Sequence, residues 1–167
     1  MIVMESITSF FAPDTLDMMI RILVASGLGL LLGFERMTAH KHAGMRTYAL
    51  VALGSCLFVV VGVLSAQSYA GFSGMNPVQI AASIVIGIGF IGAGLASWKS
   101  GGHVELTTTS GIWVASGIGM ACGFGFYIEA IFATLVALFI LSVLSILERQ
   151  FRIKVFGTHP DDEKEQQ

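Results

Sequence analysis

Charged residues are confined to a few short segments, and long uncharged runs separate them. No Asp, Glu, Lys or Arg occurs over residues 47–98, 106–128 or 130–147. Residues 18–34 contain a single charge, Arg21. A membrane-spanning helix needs about 20 predominantly apolar residues, within a range of roughly 17 to 25. The runs are long enough for several such helices, and they predict an all-α, polytopic membrane protein.

Glycine and proline residues divide these runs into five predicted spans. Gly71, Gly74 and Asn76 indicate a turn after the second span, and the Pro77 that follows is favourable in the first turn of a helix. The stretch from residue 106 to 147 is too long for one span, and glycines near its middle favour a break there. The predicted spans cover residues 18–34, 47–66, 78–98, 107–123 and 127–147.

The lysine and arginine residues predict the orientation of these spans, because such residues are enriched in cytoplasmic loops. Eight of the nine fall on one side of a five-span arrangement: Arg36, Lys41, Arg46, Lys99, Arg149, Arg152, Lys154 and Lys164. We therefore expect residues 1–17 to be extracytoplasmic and residues 148–167 to form a short cytoplasmic tail. The ninth, Arg21, lies four residues after Asp17, so the two can pair on one helix face. It is either an anchor at the outer surface or a buried functional charge.

Composition excludes several other classes of protein. Of the 167 residues, 54% are hydrophobic and only 12% are charged, about half the usual charged share of a soluble protein. The mean hydropathy is +0.80. The net charge of −2 gives no basic surface for nucleic acid, so no nucleic-acid partner is expected. No serine, histidine and acid combination occurs in a catalytic motif, so we expect no enzymatic activity. No cofactor is expected either, apart from Mg²⁺ as a candidate ligand whose binding residues stay unknown.

The 20 glycines indicate close helix packing, since glycine lets helix backbones approach closely in a membrane. The segment 87–94 also fits a dinucleotide-binding pattern, but an apolar span surrounds it instead of a strand–turn–helix unit. Close packing is therefore the favoured interpretation, and we expect a homodimer or a larger oligomer. The predicted packing positions are Gly29, Gly33, Gly87, Gly89, Gly92, Gly94, Gly119 and Gly123.

Two segments of the chain are similar to each other. Residues 24–29 read Val-Ala-Ser-Gly-Leu-Gly, and residues 114–119 read Val-Ala-Ser-Gly-Ile-Gly. The predicted spans that contain them run in opposite directions. The similarity is either an inverted repeat, which is a common plan in transporters, or a convergence of two small-residue helix faces.

Polar residues collect where the predicted spans meet the cytoplasm. Threonines suit a helix N-terminus because their hydroxyls can cap free backbone N–H groups, and an acid there complements the helix dipole. We expect Glu35 to pair with Arg46, although each charge could instead be an interfacial anchor. The predicted cluster comprises Glu35, Arg36, Arg46, Thr47, Glu105, Thr107, Thr108 and Trp113.

Two ordered blocks of the sequence resemble the MgtC/SapB family of membrane proteins. The first is Gly-Phe-Glu-Arg at residues 33–36, followed by the segment 43–54. The second is the glycine-rich segment 87–94, followed by Leu-Thr-Thr at 106–108 and Trp-Val-Ala at 113–115. The resemblance implies a bacterial inner-membrane protein with about five spans. It further implies adaptation to low magnesium, survival inside host cells in pathogens, and modulation of another membrane complex such as the ATP synthase.

The chain departs from the long members of that family in two places. Those members carry a soluble cytoplasmic domain after the last span, and here 148–167 alone follows it, so we expect a short form. Glu105 also stands where a glycine is usual. The sequence favours a regulatory protein that binds another membrane complex, and the alternative is a transporter or channel for Mg²⁺ or another cation. A cation path usually needs acidic groups within the membrane, and Glu129 is the only one beyond the helix ends.

Overall fold

A computed structural model describes residues 13–68, 76–97 and 106–147 of the chain. No strand occurs among these residues, so the predicted all-α class is confirmed. Most of the predicted N-terminal segment, the tail 148–167 and Glu105 lie outside the described residues. The helices are α1 (Pro13–Thr38), α2 (Met45–Ser68), α3 (Pro77–Ser97), α4 (Leu106–Phe124) and α5, which covers Tyr127–Phe139 and continues through a π-helical turn at Ile140–Leu144.

Four of the five helices, α1, α2, α3 and α5, are long and apolar enough to cross a membrane. The remaining helix, α4, has 19 residues and so extends over roughly 28 Å. It contacts each of the other four helices. Because α4 is surrounded largely by protein, its packing favours small residues that allow close helix contacts over the large apolar residues that face lipid. The predicted polytopic helical membrane fold is therefore confirmed, with the one helix that is not among the four spanning candidates packed against all of the others.

Glycines set the close approach of α1 and α4 to α2. A Cβ atom on Gly29 of α1 would lie 2.7 Å from the carbonyl oxygen of Tyr48 and 2.9 Å from the Cβ of Ala52. A Cβ atom on Gly119 of α4 would overlap the carbonyl oxygen of the same Ala52. Gly29 and Gly119 occupy equivalent positions in the two similar segments, 24–29 and 114–119. Both segments therefore pack a small-residue face against α2 at one level, from two sides.

Three of the predicted packing glycines contact no other helix within the described residues. Among the described residues, no atom of a neighbouring helix lies within 4 Å of a Cβ atom built on Gly87, Gly89 or Gly94. All three are on α3, and only 6% of the α3 span is buried within the chain. These glycines therefore do not mediate packing inside the described chain. The predicted packing glycines that do meet another helix are Gly29, Gly33, Gly92, Gly119 and Gly123.

Arg21 joins three helices at one end of the bundle. Its Nε donates to Oδ2 of Asp17 at 2.7 Å, and its Nη1 donates to the carbonyl oxygen of Gly123 at 2.8 Å. The hydroxyl of Tyr127 donates to the other oxygen of Asp17 at 3.3 Å. Positive charge is favourable at the C-terminus of a helix, and Gly123 lies in the last turn of α4. These contacts tie α1 to the α4–α5 connection.

The break between α4 and α5 falls at Gly125. Its backbone φ is +84°, a left-handed conformation that glycine adopts most readily. The amide of Gly125 donates to the carbonyl of Cys122, and the amide of Phe126 donates to the carbonyl of Ala121. This is the Schellman arrangement that closes helix C-termini. The sequence prediction ended this helix at residue 123, and the structure ends it at Phe124.

Candidate functional site

Arg36 is buried at the end of the bundle opposite Arg21. It lies one helical turn beyond the buried Leu32 on α1, and it is only 3% exposed. Its Nη1 atom lies 3.5 Å from Oε2 of Glu35. The Nε and Nη2 atoms of Arg36 and the Oε2 atom of Glu35 have no hydrogen-bond partner among residues 13–68, 76–97 and 106–147. A buried guanidinium is costly unless it is paired and hydrogen-bonded, and within these residues the donors of Arg36 are largely unused.

The backbone turn after α1 positions this buried pair. The amide of Lys41 donates to the carbonyl of Arg36 at 3.0 Å, and the amide of His40 donates to the carbonyl of Met37 at 3.0 Å. His40 has a φ of +54° and takes the left-handed position at which glycine is usual. The turn therefore satisfies the Arg36 carbonyl and directs the chain into α2.

The expected pairing of Glu35 with Arg46 is not found, because the structure pairs Glu35 with Arg36 instead. The backbone of Met45 packs directly against Gly33 of α1. Arg46 follows Met45 on the helix and so points about 100° away from that contact. Arg46 is exposed and lines a groove between α2 and α3.

A tyrosine links the start of α4 to α2. Tyr48 is completely buried, and its hydroxyl donates to the backbone carbonyl of Thr108 at 3.2 Å. Gly111 makes room for this ring, since a Cβ atom on Gly111 would lie 3.2 Å from Cε1 of Tyr48. Sequence reasoning missed this bridge. The available signal was a tyrosine one turn inside an apolar helix, where a buried hydroxyl usually needs a partner.

The other predicted cluster residues are spread over the same end of the bundle. Thr108 is buried at 3% exposure. Thr47 lines the groove between α2 and α3, and Thr107 lines a cavity of about 380 Å³ between α1, α4 and α5. Trp113 is 54% exposed on α4. The structure thus brings Glu35 and Arg36 into contact, and it does not gather all of the predicted residues into one site.

A second polar contact that the sequence did not reveal lies deeper in the bundle. The hydroxyls of Ser55 on α2 and Ser116 on α4 are 2.8 Å apart and buried. Each hydroxyl satisfies the other in a region where an unpaired polar group would be costly. Within residues 13–68, 76–97 and 106–147, no three His, Cys, Asp or Glu side chains approach closely enough to hold a metal ion.

Comparison with known sequences identifies the relatives of the chain. The signature described as "MgtC family" matches residues 22–150. The chain is 35% identical over 147 residues to an uncharacterized protein of Haemophilus influenzae, 37% identical over 134 residues to Protein SapB of Bacillus subtilis, and 37% identical over 131 residues to an Escherichia coli protein named "Putative magnesium transporter YhiD".

These alignments take up most of this chain and a smaller part of each relative. They cover 86%, 78% and 77% of this chain, in that order, and 62%, 56% and 61% of the relatives. No solved structure gave a significant match. The family signature covers most of the membrane-spanning region, and it includes Glu35 and Arg36.

Proposed function

Because the chain belongs to the MgtC family, we propose that it is a non-enzymatic regulator in the bacterial inner membrane that serves adaptation to low magnesium. It acts by binding another membrane protein at the end of the bundle that contains Arg36. The ATP synthase is the partner class that the family resemblance implies, and survival of a pathogen inside host cells is a setting consistent with the same role.

The observation that carries this proposal is the burial of the Arg36 guanidinium with few hydrogen-bond partners among the described residues. A guanidinium presents five N–H donors in a planar fork that matches a carboxylate with two parallel hydrogen bonds. Within the part of the chain that the structure describes, two of the three nitrogens of Arg36 are buried without a partner, and its one ionic contact is the 3.5 Å approach to Glu35. Charged residues within membrane helices are rare and usually functional. Arg36 is only 3% exposed, so an acidic group of a partner protein would supply the missing acceptors once the helix ends separate enough to expose the guanidinium.

Transport of Mg²⁺ is the second candidate function, and two observations favour it. The Escherichia coli relative carries magnesium transport in its name, and Oε2 of Glu35 is buried without a hydrogen bond to any described residue. A divalent cation at Glu35 would, however, meet the Arg36 guanidinium at close range, where like charges repel strongly in a medium of low dielectric constant. The geometry therefore supports the regulatory function better.

Ion flux separates the two functions directly. The purified full chain would be reconstituted into vesicles that contain a fluorescent Mg²⁺ indicator, with protein-free vesicles as the baseline. The regulatory proposal predicts uptake at the baseline rate. Uptake above that rate that disappears in Glu35→Gln, while this variant reconstitutes to the same density, would contradict the proposal and establish transport through Glu35.

A further inference from the structure

The space between α2 and α3 is a groove that occupies only one half of the bundle. Its volume is about 760 Å³, within the range of pockets that hold whole small molecules. It begins beside Arg46 and reaches Phe58 on α2, a length of roughly 18 Å at 1.5 Å per residue. Beyond Phe58 the helices converge, because the side chain of Ile80 occupies the space that Gly62 leaves free.

The interior of this groove is apolar although two serines line it. Ser55 is hydrogen-bonded to Ser116 at 2.8 Å, and Ser83 donates to the carbonyl of Gln79 at 3.0 Å. Both hydroxyls are thus satisfied within the chain and require no polar occupant. Apart from the end that carries Arg46 and Thr47, the remaining lining consists of aliphatic and aromatic side chains and two glycines.

We propose that this groove binds a phospholipid with an anionic headgroup, from the leaflet on the basic side of the bundle. One leaflet accounts for about 15 Å of the roughly 30 Å hydrocarbon core, which matches the length of the groove. A membrane-spanning helix of a second subunit would need about twice that length. The guanidinium of Arg46 forms no ion pair with a described acid, and it lies at the end where the headgroup would sit.

Lipid retention measured by native mass spectrometry tests this inference. The full chain would be released from nanodiscs that contain equal amounts of phosphatidylglycerol and phosphatidylethanolamine with identical acyl chains. We expect retention of the anionic lipid by roughly fivefold over the zwitterionic one, the factor that one basic side chain near anionic lipid supplies. Arg46→Gln should abolish the preference, and Arg46→Lys should keep most of it.

A matched pair of substitutions on α3 tests the groove itself. Gly87 lines the groove, and no described atom lies within 4 Å of a Cβ built on it, so Gly87→Leu should fit without disturbing the fold and should lower retention of both lipids. Gly89→Leu is the control, because Gly89 is equally open but lies about 200° around the helix, outside the groove. Gly54→Leu, which fills the groove from α2, should reproduce the effect of Gly87→Leu.

Three results would overturn the inference. The first is equal retention of the two lipids by the wild-type chain. The second is retention in Gly87→Leu that matches retention in Gly89→Leu. The third is a loss of oligomer mass in Gly87→Leu with unchanged lipid binding, because that result would place a second copy of the chain in the groove.

Discussion

Replacing Gly119 with alanine should separate the helices at the centre of the bundle. The new methyl group would overlap the carbonyl oxygen of Ala52 and would lie 2.9 Å from its Cα. Both atoms belong to the α2 backbone, so no side-chain rotation can relieve the overlap. Overpacking of this kind typically costs about 1 to 3 kcal/mol.

A neighbouring hydrogen bond raises the expected cost. Ser116 lies on α4 three residues before Gly119, and its hydroxyl is bonded to Ser55 at 2.8 Å across the same helix pair. Moving α4 away from α2 would lengthen this bond, and interhelical hydrogen bonds in membranes contribute about 0.6 kcal/mol on average. We therefore expect Gly119→Ala to lower the free energy of unfolding by about 2 to 4 kcal/mol.

Gly117→Ala is the matched control for this prediction. It makes the same chemical change two residues earlier on α4, where a Cβ atom meets no described neighbour within 4 Å. Any gain in helix propensity is common to both variants, so their difference isolates the overlap with Ala52. Unfolding of the purified chain by sodium dodecyl sulfate in mixed micelles, followed by tryptophan fluorescence, would measure both. Free energies of unfolding within about 0.5 kcal/mol of each other would refute the packing of α4 on α2 described above.

Three further predictions address the polar contacts and the topology. Ser116→Ala should lower the free energy of unfolding by about 1 kcal/mol, because it leaves the buried hydroxyl of Ser55 without its partner. The double variant Ser55→Ala/Ser116→Ala should be no less stable than the single one, since both positions are then apolar. A double variant that loses twice as much stability would contradict the pairing. His40→Gly should match or exceed wild-type stability by up to about 1 kcal/mol because it removes left-handed strain, whereas His40→Val should destabilise the chain in the same unfolding assay. A reporter active only in the cytoplasm should work when fused after Lys154 and fail at the N-terminus, and activity at both ends would refute an odd number of spans.

The fold was predictable because lipid imposes a simple requirement on sequence. Uncharged runs of sufficient length identify the helices, and the glycine at position 125 marks a break that no hydropathy pattern shows. The central position of α4 was not predictable, since its three consecutive threonines and its glycines are equally typical of an interfacial helix end. Similarly, a glycine-rich sequence indicates that close approach is allowed, but it cannot tell that Gly119 meets α2 while Gly87 faces a groove.

The candidate site was predictable only as a set of residues near one membrane surface. The rotation of each helix decides which of these residues meet, and a shift of one residue turns a side chain by about 100°. Arg36 and Arg46 show this: both are arginines at helix ends, yet one is 3% exposed and the other lines an open groove. The Tyr48–Thr108 bridge was missed for the same reason, since a tyrosine in an apolar helix indicates a need for a partner but not that the partner is a backbone carbonyl 60 residues away.

The central claim is tested most directly by the growth, at limiting magnesium, of cells that carry Arg36→Met together with Glu35→Gln. Methionine removes the charge but keeps an apolar side chain of similar length, and pairing it with Glu35→Gln avoids a stranded acid. The control is Lys41→Met, which removes an exposed charge from the turn that follows α1. In a strain that lacks its own family member, we expect the wild type and Lys41→Met to support growth. The Glu35→Gln/Arg36→Met variant should reach the same level in the membrane and fail to support growth. Wild-type growth of this double variant would contradict the proposal that the buried guanidinium carries the function.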